Sequence, residues 1–560
     1  MLIGIDVGGT YTDGVLFSDG SLSHSVKHPT DEGDLKNSLL GVLDELLADG
    51  CGKSVKRVVL GTTLVTNLLA TRRTERTALM LVPGSGMPFS TYDDISPDTY
   101  FLKGGIDFRG REIEPLDREE VLDVLGKING AGIGRVAVAG KFSNRNDKHE
   151  AAIKQLISER FPHMEVCTSN AISGQLNFPR RAVTCYYTAM TTREWNHFAD
   201  GIGAAIEARL PGCELHILKA DGGTTTLEDS RKRPCETMFS GPAGSTVGAL
   251  ALCREPLNSV VVDIGGTTSD ISLLIAGQPL YASKGACVGG RLTHIHSFAV
   301  DSIAIGGDSP VTEESGRVMV GTRRLGAAAC FGGEIPTVTD AFNVLMNLSI
   351  GNAQASNAKL TSLAERSGQS LEELCRSVQD HVVGALKERI THLFHQWENE
   401  PAYRVWEVVH QRKFVLQQII GIGAAAPMIV PALARDMGVN CFLHRYSPVA
   451  NALGAAVARP TLAVAVHVDT QKQTCTISPG GLSRTIDDRV SQMPNIRELA
   501  RSLLKEIGLE RGLGEYSSEA QFYLEEQFNV IRGPKLVGKI FDVGIQIAPG
   551  LVHGYEGVAE

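Results

Sequence analysis

Residues 5–13 read IDVGGTYTD and residues 262–270 read VDIGGTTSD, and this pair of stretches decides the fold. Asp, Gly, Gly, Thr and Asp occupy matching positions, and most of the other differences are conservative. Each stretch starts in an apolar run and continues into a second apolar run, a glycine turn and a third strand-like segment. Both copies therefore predict strand, tight turn, strand, turn, strand. Such similarity between distant segments predicts two lobes that share one plan.

The residue types of this motif suit the binding of phosphate. Adjacent glycines let the backbone approach an anion closely and present N–H groups to it, and the threonine hydroxyl adds a neutral donor. An aspartate near the end of each first strand, Asp6 or Asp263, is placed to hold hydrated Mg²⁺ against phosphate oxygens. A single copy could equally be an ordinary tight hairpin. Two copies in the same context favour phosphate binding between two lobes.

Two further clusters of small residues indicate nucleotide contacts. GIGAAAP at 421–427 follows a strand-like run and precedes a helical segment, which suits contact with a base or ribose; close packing of the helix on the strand is the alternative. SGPAGS at 240–245 opens a helix whose N-terminus can face an anion, and an ordinary helix start explains it equally well. The chain has no GxxxxGK[ST] loop and no GxGxxG after a strand.

Composition excludes several classes of protein. The 560 residues are 43% hydrophobic and 21% charged, unlike a disordered or coiled-coil chain. A net charge of −9 without a basic stripe argues against a nucleic-acid partner. The eleven cysteines include no CxxC pair, which disfavours zinc and iron–sulfur sites and suits reduced thiols in the cytoplasm. The chain starts without a basic leader, and the uncharged stretch 414–434 carries glutamines, glycines and prolines, so no membrane segment is expected.

Three polar groups are candidates for substrate or metal contact. Thr62, Thr63 and Asn67 stand at a strand-to-helix step, where they could bind a neutral carbonyl or simply start a helix. The pair 180–181, two arginines, could bind a carboxylate or remain solvated. Histidines 294 and 296 alternate on a predicted strand, where a structural role is favoured over a metal site.

The chain resembles the hydantoinase A/5-oxoprolinase family, which includes ATP-dependent N-methylhydantoinase and acetone carboxylase subunits, within the superfamily of sugar kinases, actins and heat-shock chaperones. Beside the two quoted motifs, the markers are LGTTLVTNLL (60–69), KADGGTTT (219–226), FSGPAGSTVGA (239–249), PTVTDA (336–341), GIGAAAPMIVPALARDMGV (421–439) and YSPVANALGAAVA (446–458). The similarity extends from about residue 2 to residue 460. It implies an α/β, two-lobed actin-like fold of duplicated ribonuclease H-like domains with a nucleotide cleft between them.

The resemblance also implies function. The expected activity is ATP-dependent phosphorylation of a cyclic amide carbonyl, such as that of hydantoin or 5-oxoproline, so that water can open the ring. An activating subunit for ketone carboxylation and an actin-like nucleotide switch are the alternatives. The expected cofactors are ATP and Mg²⁺, and the expected partners are a small cyclic amide, a possible hydantoinase B-type subunit and further copies in an oligomer.

The family's roles are carried onto matching residues of this sequence. Asp6 and Asp263 would be catalytic and hold Mg²⁺ or its waters, while Asp13 and Asp270 would orient the hairpins instead. Thr62, Thr63 and Asn67 would contact the substrate. The residues expected to bind ATP are Gly8, Gly9, Thr10, Gly265, Gly266, Thr267, Gly421, Gly423 and Ala424.

The predicted organisation has three parts. Residues 1–180 form an N-terminal lobe, residues 181–460 form an ATP-binding lobe with a helical insertion at about 353–413, and residues 461–560 form a short C-terminal region. The insertion is expected to contain two helices separated by Gly368 and to carry substrate or partner contacts. One departure from the family lies at 305–309, where Asp308 replaces a glycine and could alter a phosphate or substrate contact.

Overall fold

The computed structural model describes the chain except residues 19, 32, 87, 93, 400–413, 479, 488–490, 556, 559 and 560. The strands are β1 Leu2–Val7, β2 Tyr11–Ser18, β3 Ser21–Pro29, β4 Arg57–Thr62, β5 Thr77–Val82, β6 Thr99–Phe101, β7 Gly105–Ile106, β8 Glu112–Glu114, β9 Arg135–Gly140, β10 Glu165–Thr168, β11 Glu214–Leu218, β12 Thr224–Thr226, β13 Ser259–Ile264, β14 Ser269–Ile275, β15 Gln278–Pro279, β16 Cys287–Val288, β17 Arg291–Leu292, β18 Val300–Ile303, β19 Val311–Glu314, β20 Arg317–Val320, β21 Gln418–Ile422, β22 Asn440–Phe442, β23 Leu462–Asp469, β24 Thr474–Ser478, β25 Leu482–Thr485, β26 Gln521–Arg532 and β27 Lys535–Ile547. The α-helices are α1 Leu35–Leu46, α2 Leu64–Thr71, α3 Arg118–Gly130, α4 Lys148–Arg160, α5 Ser169–Ile172, α6 Phe178–Arg209, α7 Leu227–Lys232, α8 Ser240–Leu252, α9 Val338–Met346, α10 Ala353–Ser367, α11 Leu371–Glu398, α12 Ala426–Met437, α13 Ala450–Val457 and α14 Met493–Glu510.

Two sheets repeat one topology, and each is built on one copy of the motif. In the first sheet, ordered β12-β11-β4-β1-β2-β3, β1 pairs antiparallel with β2 and parallel with β4. In the second sheet, β13 pairs antiparallel with β14 and parallel with β21. The register repeats as well, because Asp6 lies opposite Asp13 and Asp263 lies opposite Asp270. The predicted two-lobed α/β fold with duplicated domains is therefore confirmed.

Helices α8 and α13 pack together between the two sheets, and their small residues allow close contact. A Cβ on Gly248 would overlap the carbonyl oxygen of Ala450, and a Cβ on Gly454 would lie 2.5 Å from the backbone nitrogen of Gly248. The small-residue runs at 239–249 and 446–458 thus serve helix packing, in addition to any contact with ligand.

The remaining segments extend this frame. The four-stranded sheet β10-β9-β5-β6 packs against α6, and the five-stranded sheet β25-β24-β23-β27-β26 packs against α14. Two helices, α10 and α11, flank Gly368 as predicted, while positions 400–413 of the predicted insertion lie outside the described residues. Strands β11 and β12, which the sequence assigned to the second lobe, complete the first sheet because β11 pairs with β4. Among the described helices, none has the length and apolar character needed to cross a membrane.

Candidate active site

The two motif hairpins face each other across one cleft. A cavity of about 450 Å³ lies between them, with α8, α12 and α13 supplying further wall. Small side chains at both hairpin tips leave room for a ligand. The predicted residues that line this cavity are Asp6, Gly8, Gly9, Thr10, Thr63, Asp263, Gly265, Gly266, Thr267, Gly423 and Ala424.

The hairpin tips have the same internal hydrogen bond in both copies. The N–H of Gly8 donates to the carbonyl of Tyr11 at 3.0 Å, and the N–H of Gly265 donates to the carbonyl of Thr268 at 3.0 Å. These two N–H groups therefore close the turns. The next two N–H groups of each tip, at positions 9–10 and 266–267, are the ones left to meet an anion in the cleft.

Asp6 is buried at the floor of the cleft. Burial, followed by the nearby charges of Asp13 and Asp263, raises the pKa of Asp6 to about 7. Its Oδ1 atom has no hydrogen-bond partner among the described residues. A buried carboxylate oxygen without a donor is costly, so this atom is suited to receive a water or cation that arrives with a ligand.

Asp263 is held from the opposite side by two helices. The hydroxyl of Ser245 on α8 and the side-chain amide of Asn451 on α13, at 3.1 Å, both donate to its Oδ2 atom. Burial raises the pKa of Asp263, and these two donors partly oppose that shift. The helix pair thus fixes the orientation of one catalytic candidate.

The second aspartates of the two motifs are in different environments. Asp13 forms an ion pair with Lys27, with 2.6 Å between Nζ and Oδ1. Both aspartates line the cavity, but Asp270 has no ion pair within the described part of the chain, and burial, followed by the charge of Asp263, raises its pKa to about 7. The orienting role expected for both residues therefore fits Asp13, while Asp270 is available to a ligand.

Two glycines let neighbouring strand ends approach the carboxylates. A Cβ at Gly61 would overlap Asp6 Oδ1. Gly423 has a φ of +88°, and a Cβ there would lie 2.5 Å from Asp263 Oδ1. Any larger residue would displace the aspartate, so the backbone positions of these glycines are part of the site.

The carboxylates fit a hydrated Mg²⁺ better than a protein cage for a bare ion. Among the described residues, no group of three or more His, Cys, Asp or Glu side chains could ligate one ion together. Mg²⁺ keeps several waters and is held through one or two carboxylates and substrate phosphates. The unpartnered Asp6 Oδ1 and the raised pKa values of Asp6 and Asp263 fit that arrangement.

A second cavity of about 580 Å³ adjoins the nucleotide-sized cleft. Its wall includes the predicted substrate residues Thr63 and Asn67, and Thr63 also lines the first cavity. The side-chain amide of Asn67 donates to the hydroxyl of Thr63 at 3.3 Å, and that hydroxyl donates to the carbonyl of Val7 at 3.3 Å. The residues common to both cavity walls are Thr63, Gly241, Pro242, Thr268 and Asp270.

Two predicted site residues lie outside both cavity walls. Thr62 is buried, and its hydroxyl accepts the N–H of Leu64 at 3.2 Å, as expected from the helix-start alternative. Gly421 lies within β21, where a Cβ would lie 2.6 Å from the side chain of Leu443 on the neighbouring segment. Close packing, the other interpretation of that glycine, explains it.

The remaining polar candidates have structural partners away from the cleft. Arg181 is buried and donates to the carbonyls of Gly140 and Gln175. His294 contacts the hydroxyl of Ser173 at 2.9 Å, and burial lowers its pKa to about 3. A neutral, half-buried histidine bonded to serine agrees with the structural role that the sequence favoured.

Sequence reasoning missed several residues at the cleft. Asn451 and Ser245 orient Asp263, yet both lie in helical runs that indicate packing. Asp308, by contrast, was singled out in the sequence as a departure from the family pattern; it lines the cleft and forms an ion pair with Arg324, with 3.0 Å between Oδ2 and Nε. Its neighbouring backbone holds the second hairpin, because the N–H of Asp308 donates to the carbonyl of Gly266 at 2.7 Å.

Comparisons with known proteins agree with this architecture. The hydantoinase/oxoprolinase family model matches residues 181–464, and the model of the hydantoinase/oxoprolinase N-terminal region matches residues 2–161. The chain is 25% identical to caprolactamase subunit alpha of Pseudomonas jessenii, over 79% of this chain and 68% of that protein. It is 24% identical to 5-oxoprolinase of Saccharomyces cerevisiae, over 81% of this chain but only 41% of that protein.

Solved structures show the same fold. The nucleotide-free structure of acetone carboxylase, described as an enzyme of ATP-dependent acetone carboxylation, superposes with a TM-score of 0.71 at 16% sequence identity. The superposition covers 98% of this chain and 87% of that chain. The two family matches, together with the duplicated hairpins and the shared cleft, show that the chain belongs to the hydantoinase/oxoprolinase family.

Proposed function

We propose that this protein is an ATP-dependent enzyme that activates the carbonyl of a cyclic amide for ring opening. The observation that carries this proposal is the convergence of two glycine hairpins and two strand-end carboxylates, Asp6 and Asp263, on one cleft. Family relatives named caprolactamase and 5-oxoprolinase support an amide ring as substrate.

The carbonyl oxygen of the ring attacks the γ-phosphorus of ATP, the bond from that phosphorus to the β–γ bridging oxygen breaks, and ADP leaves. The amide N–H proton is lost as the O-phosphorylated imidate forms. One water then adds to the imidate carbon, the ring C–N bond breaks, and a second water releases phosphate from the resulting acyl phosphate. The net products are the open-chain amino acid, ADP and phosphate.

The hairpins would position the phosphates for this transfer. The N–H groups at positions 9–10 and 266–267 would donate to the β- and γ-phosphates from opposite lobes, so that closure of the lobes aligns them. Gly423 and Ala424 would lie against the ribose or base. Asp6 and Asp263 would hold the waters of Mg²⁺, which neutralises charge on the transferring phosphoryl group when bound.

Ring opening is the step for which we propose a second subunit. The relative from Pseudomonas jessenii is itself named a subunit, and this chain spans 41% of the length of yeast 5-oxoprolinase. Phosphorylation of the carbonyl would use the cleft of this chain. We therefore expect this chain to catalyse ADP formation and a hydantoinase B-type partner to contribute to hydrolysis.

The test is ADP formation by the purified chain with Mg-ATP and, separately, caprolactam, 5-oxoproline, hydantoin, N-methylhydantoin or acetone. One cyclic amide should increase the rate of ADP formation at least tenfold. Asp263→Asn should lower that rate by at least 100-fold, whereas Asp123→Asn, a matched change at an exposed carboxylate on α3, should leave it unchanged.

Stimulation by acetone alone would instead assign the ketone-activating function. A rate that no ring or ketone increases would overturn the proposal of carbonyl activation and favour the nucleotide switch. An Asp263→Asn variant with wild-type turnover would remove that residue from the catalytic assignment.

A further inference from the structure

The second cavity lies directly behind the wall of the nucleotide cleft. Thr63, Gly241, Pro242, Thr268 and Asp270 each line both spaces, so a group bound in one is separated from the other by a single layer of side chains and backbone. The volume of about 580 Å³ falls in the range of ~300–1,000 Å³ that is usual for small-molecule sites.

The wall of this cavity is mostly apolar and comes from both lobes. The first lobe contributes the start of α2 and the residues before α8, and the second contributes the loop after β15, the segment before β18 and the end of α11. Such a wall suits the faces of an uncharged ring. Its large apolar side chains are those of Phe239, Leu280, Tyr281, Phe298, Leu393 and Trp397.

A hydrogen-bond chain at one side of the cavity is incomplete. Asn67 uses its amide N–H to donate to Thr63, which in turn donates to Val7. No donor in the described part of the chain reaches Asn67 Oδ1. This oxygen can therefore accept a hydrogen bond from a ligand N–H, which every lactam and imide with a free ring nitrogen carries.

The backbone at Phe239 is strained where it meets the cavity. Phe239 has a φ of +54°, a left-handed conformation that is rare for a bulky residue, and its N–H donates to the hydroxyl of Thr66 at 3.3 Å. Strain of this kind persists where the surrounding structure requires it and is concentrated at functional sites. Here it fixes the aromatic ring immediately before α8.

We infer that this cavity is the acceptor chamber, which holds a neutral lactam or imide ring with its carbonyl at the wall shared with the nucleotide cleft. The ring lies among the apolar side chains and donates its N–H to Asn67 Oδ1. The inference rests on the proposed function and deepens it, because it names the binding site and the preferred class of ring.

The charges around the chamber set this preference for a neutral ring. Asp270 lies in the wall shared with the cleft, where a carboxylate substituent on the ring would face a second carboxyl group. Lys284 lies at the rim and is exposed, so water and salt weaken its attraction for a carboxylate. A ring that carries a carboxylate would therefore meet a carboxyl group in the wall and only an exposed cation at the rim.

Two substitutions test the chamber without altering the hairpins. Asn67→Leu removes the acceptor at nearly constant volume, and Ala282→Phe fills space at the wall. Each should raise the KM for caprolactam at least tenfold, with less than a twofold change in the dissociation constant of ATP measured by calorimetry. Ala70→Phe is the matched control, because Ala70 is exposed on α2 and does not line the chamber. It should change neither quantity.

Binding of caprolactam in the presence of a non-hydrolysable ATP analogue separates the two proposals. If the wild type binds the ring but the ring does not increase ADP formation, the proposed function is contradicted. The chamber would still be supported if Asn67→Leu and Ala282→Phe then lost binding of the ring. Folded variants, verified by circular dichroism, that bind the ring as the wild type does would overturn the chamber. Failure of the wild type to bind any ring would also overturn it, and a lower KM for 5-oxoproline than for caprolactam would overturn the preference for a neutral ring.

Discussion

Asp6→Asn should make the ligand-free protein more stable at high pH while it removes a catalytic group. Burial and neighbouring charges raise the pKa of Asp6 from 3.8 to about 7, so its ionised form is unfavourable in the folded state. A raised carboxyl pKa contributes stability below the unfolded value, near pH 4, and that contribution is lost as the pH rises towards 7. Asparagine resembles the protonated acid at every pH.

The size of the effect follows from the shift. The pKa of Asp6 rises by about three, which corresponds to about 4 kcal/mol at 1.36 kcal/mol per pKa unit. This energy is an upper bound because Asp6 is coupled to other carboxylates. Asp6→Asn should therefore change the free energy of unfolding little at pH 4.5 and increase it by about 2–4 kcal/mol at pH 8. The gain should develop mainly between pH 4 and pH 7.

Urea denaturation at a series of pH values, without nucleotide or divalent cation, measures this difference. The control Asp123→Asn changes an exposed carboxylate in an ion pair with Lys127 and should shift the free energy of unfolding by less than about 0.5 kcal/mol. The assignment of electrostatic strain to Asp6 would be refuted if Asp6→Asn were less stable than the wild type at pH 8. It would also be refuted if the two proteins differed in free energy of unfolding by the same amount at every pH.

Two further predictions concern close backbone contacts. Gly423→Ala should weaken ATP binding at least tenfold, because the new Cβ would lie 2.5 Å from Asp263 Oδ1 and the φ of +88° disfavours alanine; calorimetry would measure this, and unchanged affinity would contradict it. Gly454→Leu should lower the free energy of unfolding by about 3 kcal/mol by forcing α13 away from α8, and a melting temperature equal to that of the wild type would exclude this role for the helix contact.

Local patterns in the sequence identified most of the elements that hold the cleft. The strands predicted on either side of the turn in residues 5–13 and 262–270 correspond to β1, β2, β13 and β14, and the two helices predicted around Gly368 correspond to α10 and α11. Each depends on periodicity or turn residues within a short window. The repeated motif then placed both hairpins, because the same side chains at the same spacing form the same turn.

Short windows of sequence do not show which distant strands pair in a sheet. Strand β11 joins the first sheet by pairing with β4, which lies more than 150 residues earlier, so the sequence assigned it to the wrong lobe. The chamber was equally hidden, since Phe239, Leu280 and Trp397 come from distant segments and carry no chemical signature. Thr62 and Gly421 lie outside the cavity walls because local contacts that the sequence does not show, with the start of α2 and with Leu443, use those positions for packing.

The two copies of the motif have the same geometry but different electrostatics, and this difference supports a division of labour. Each places a first-strand aspartate opposite a second-strand aspartate. In the first lobe, Lys27 neutralises the second carboxylate, so Asp13 stabilises the hairpin. In the second lobe, Asp270 has no comparable cation in the described structure and instead lines both the cleft and the chamber. The lobe with the neutralised pair is suited to hold phosphate, and the lobe with the unneutralised carboxylate is the one that meets both nucleotide and acceptor.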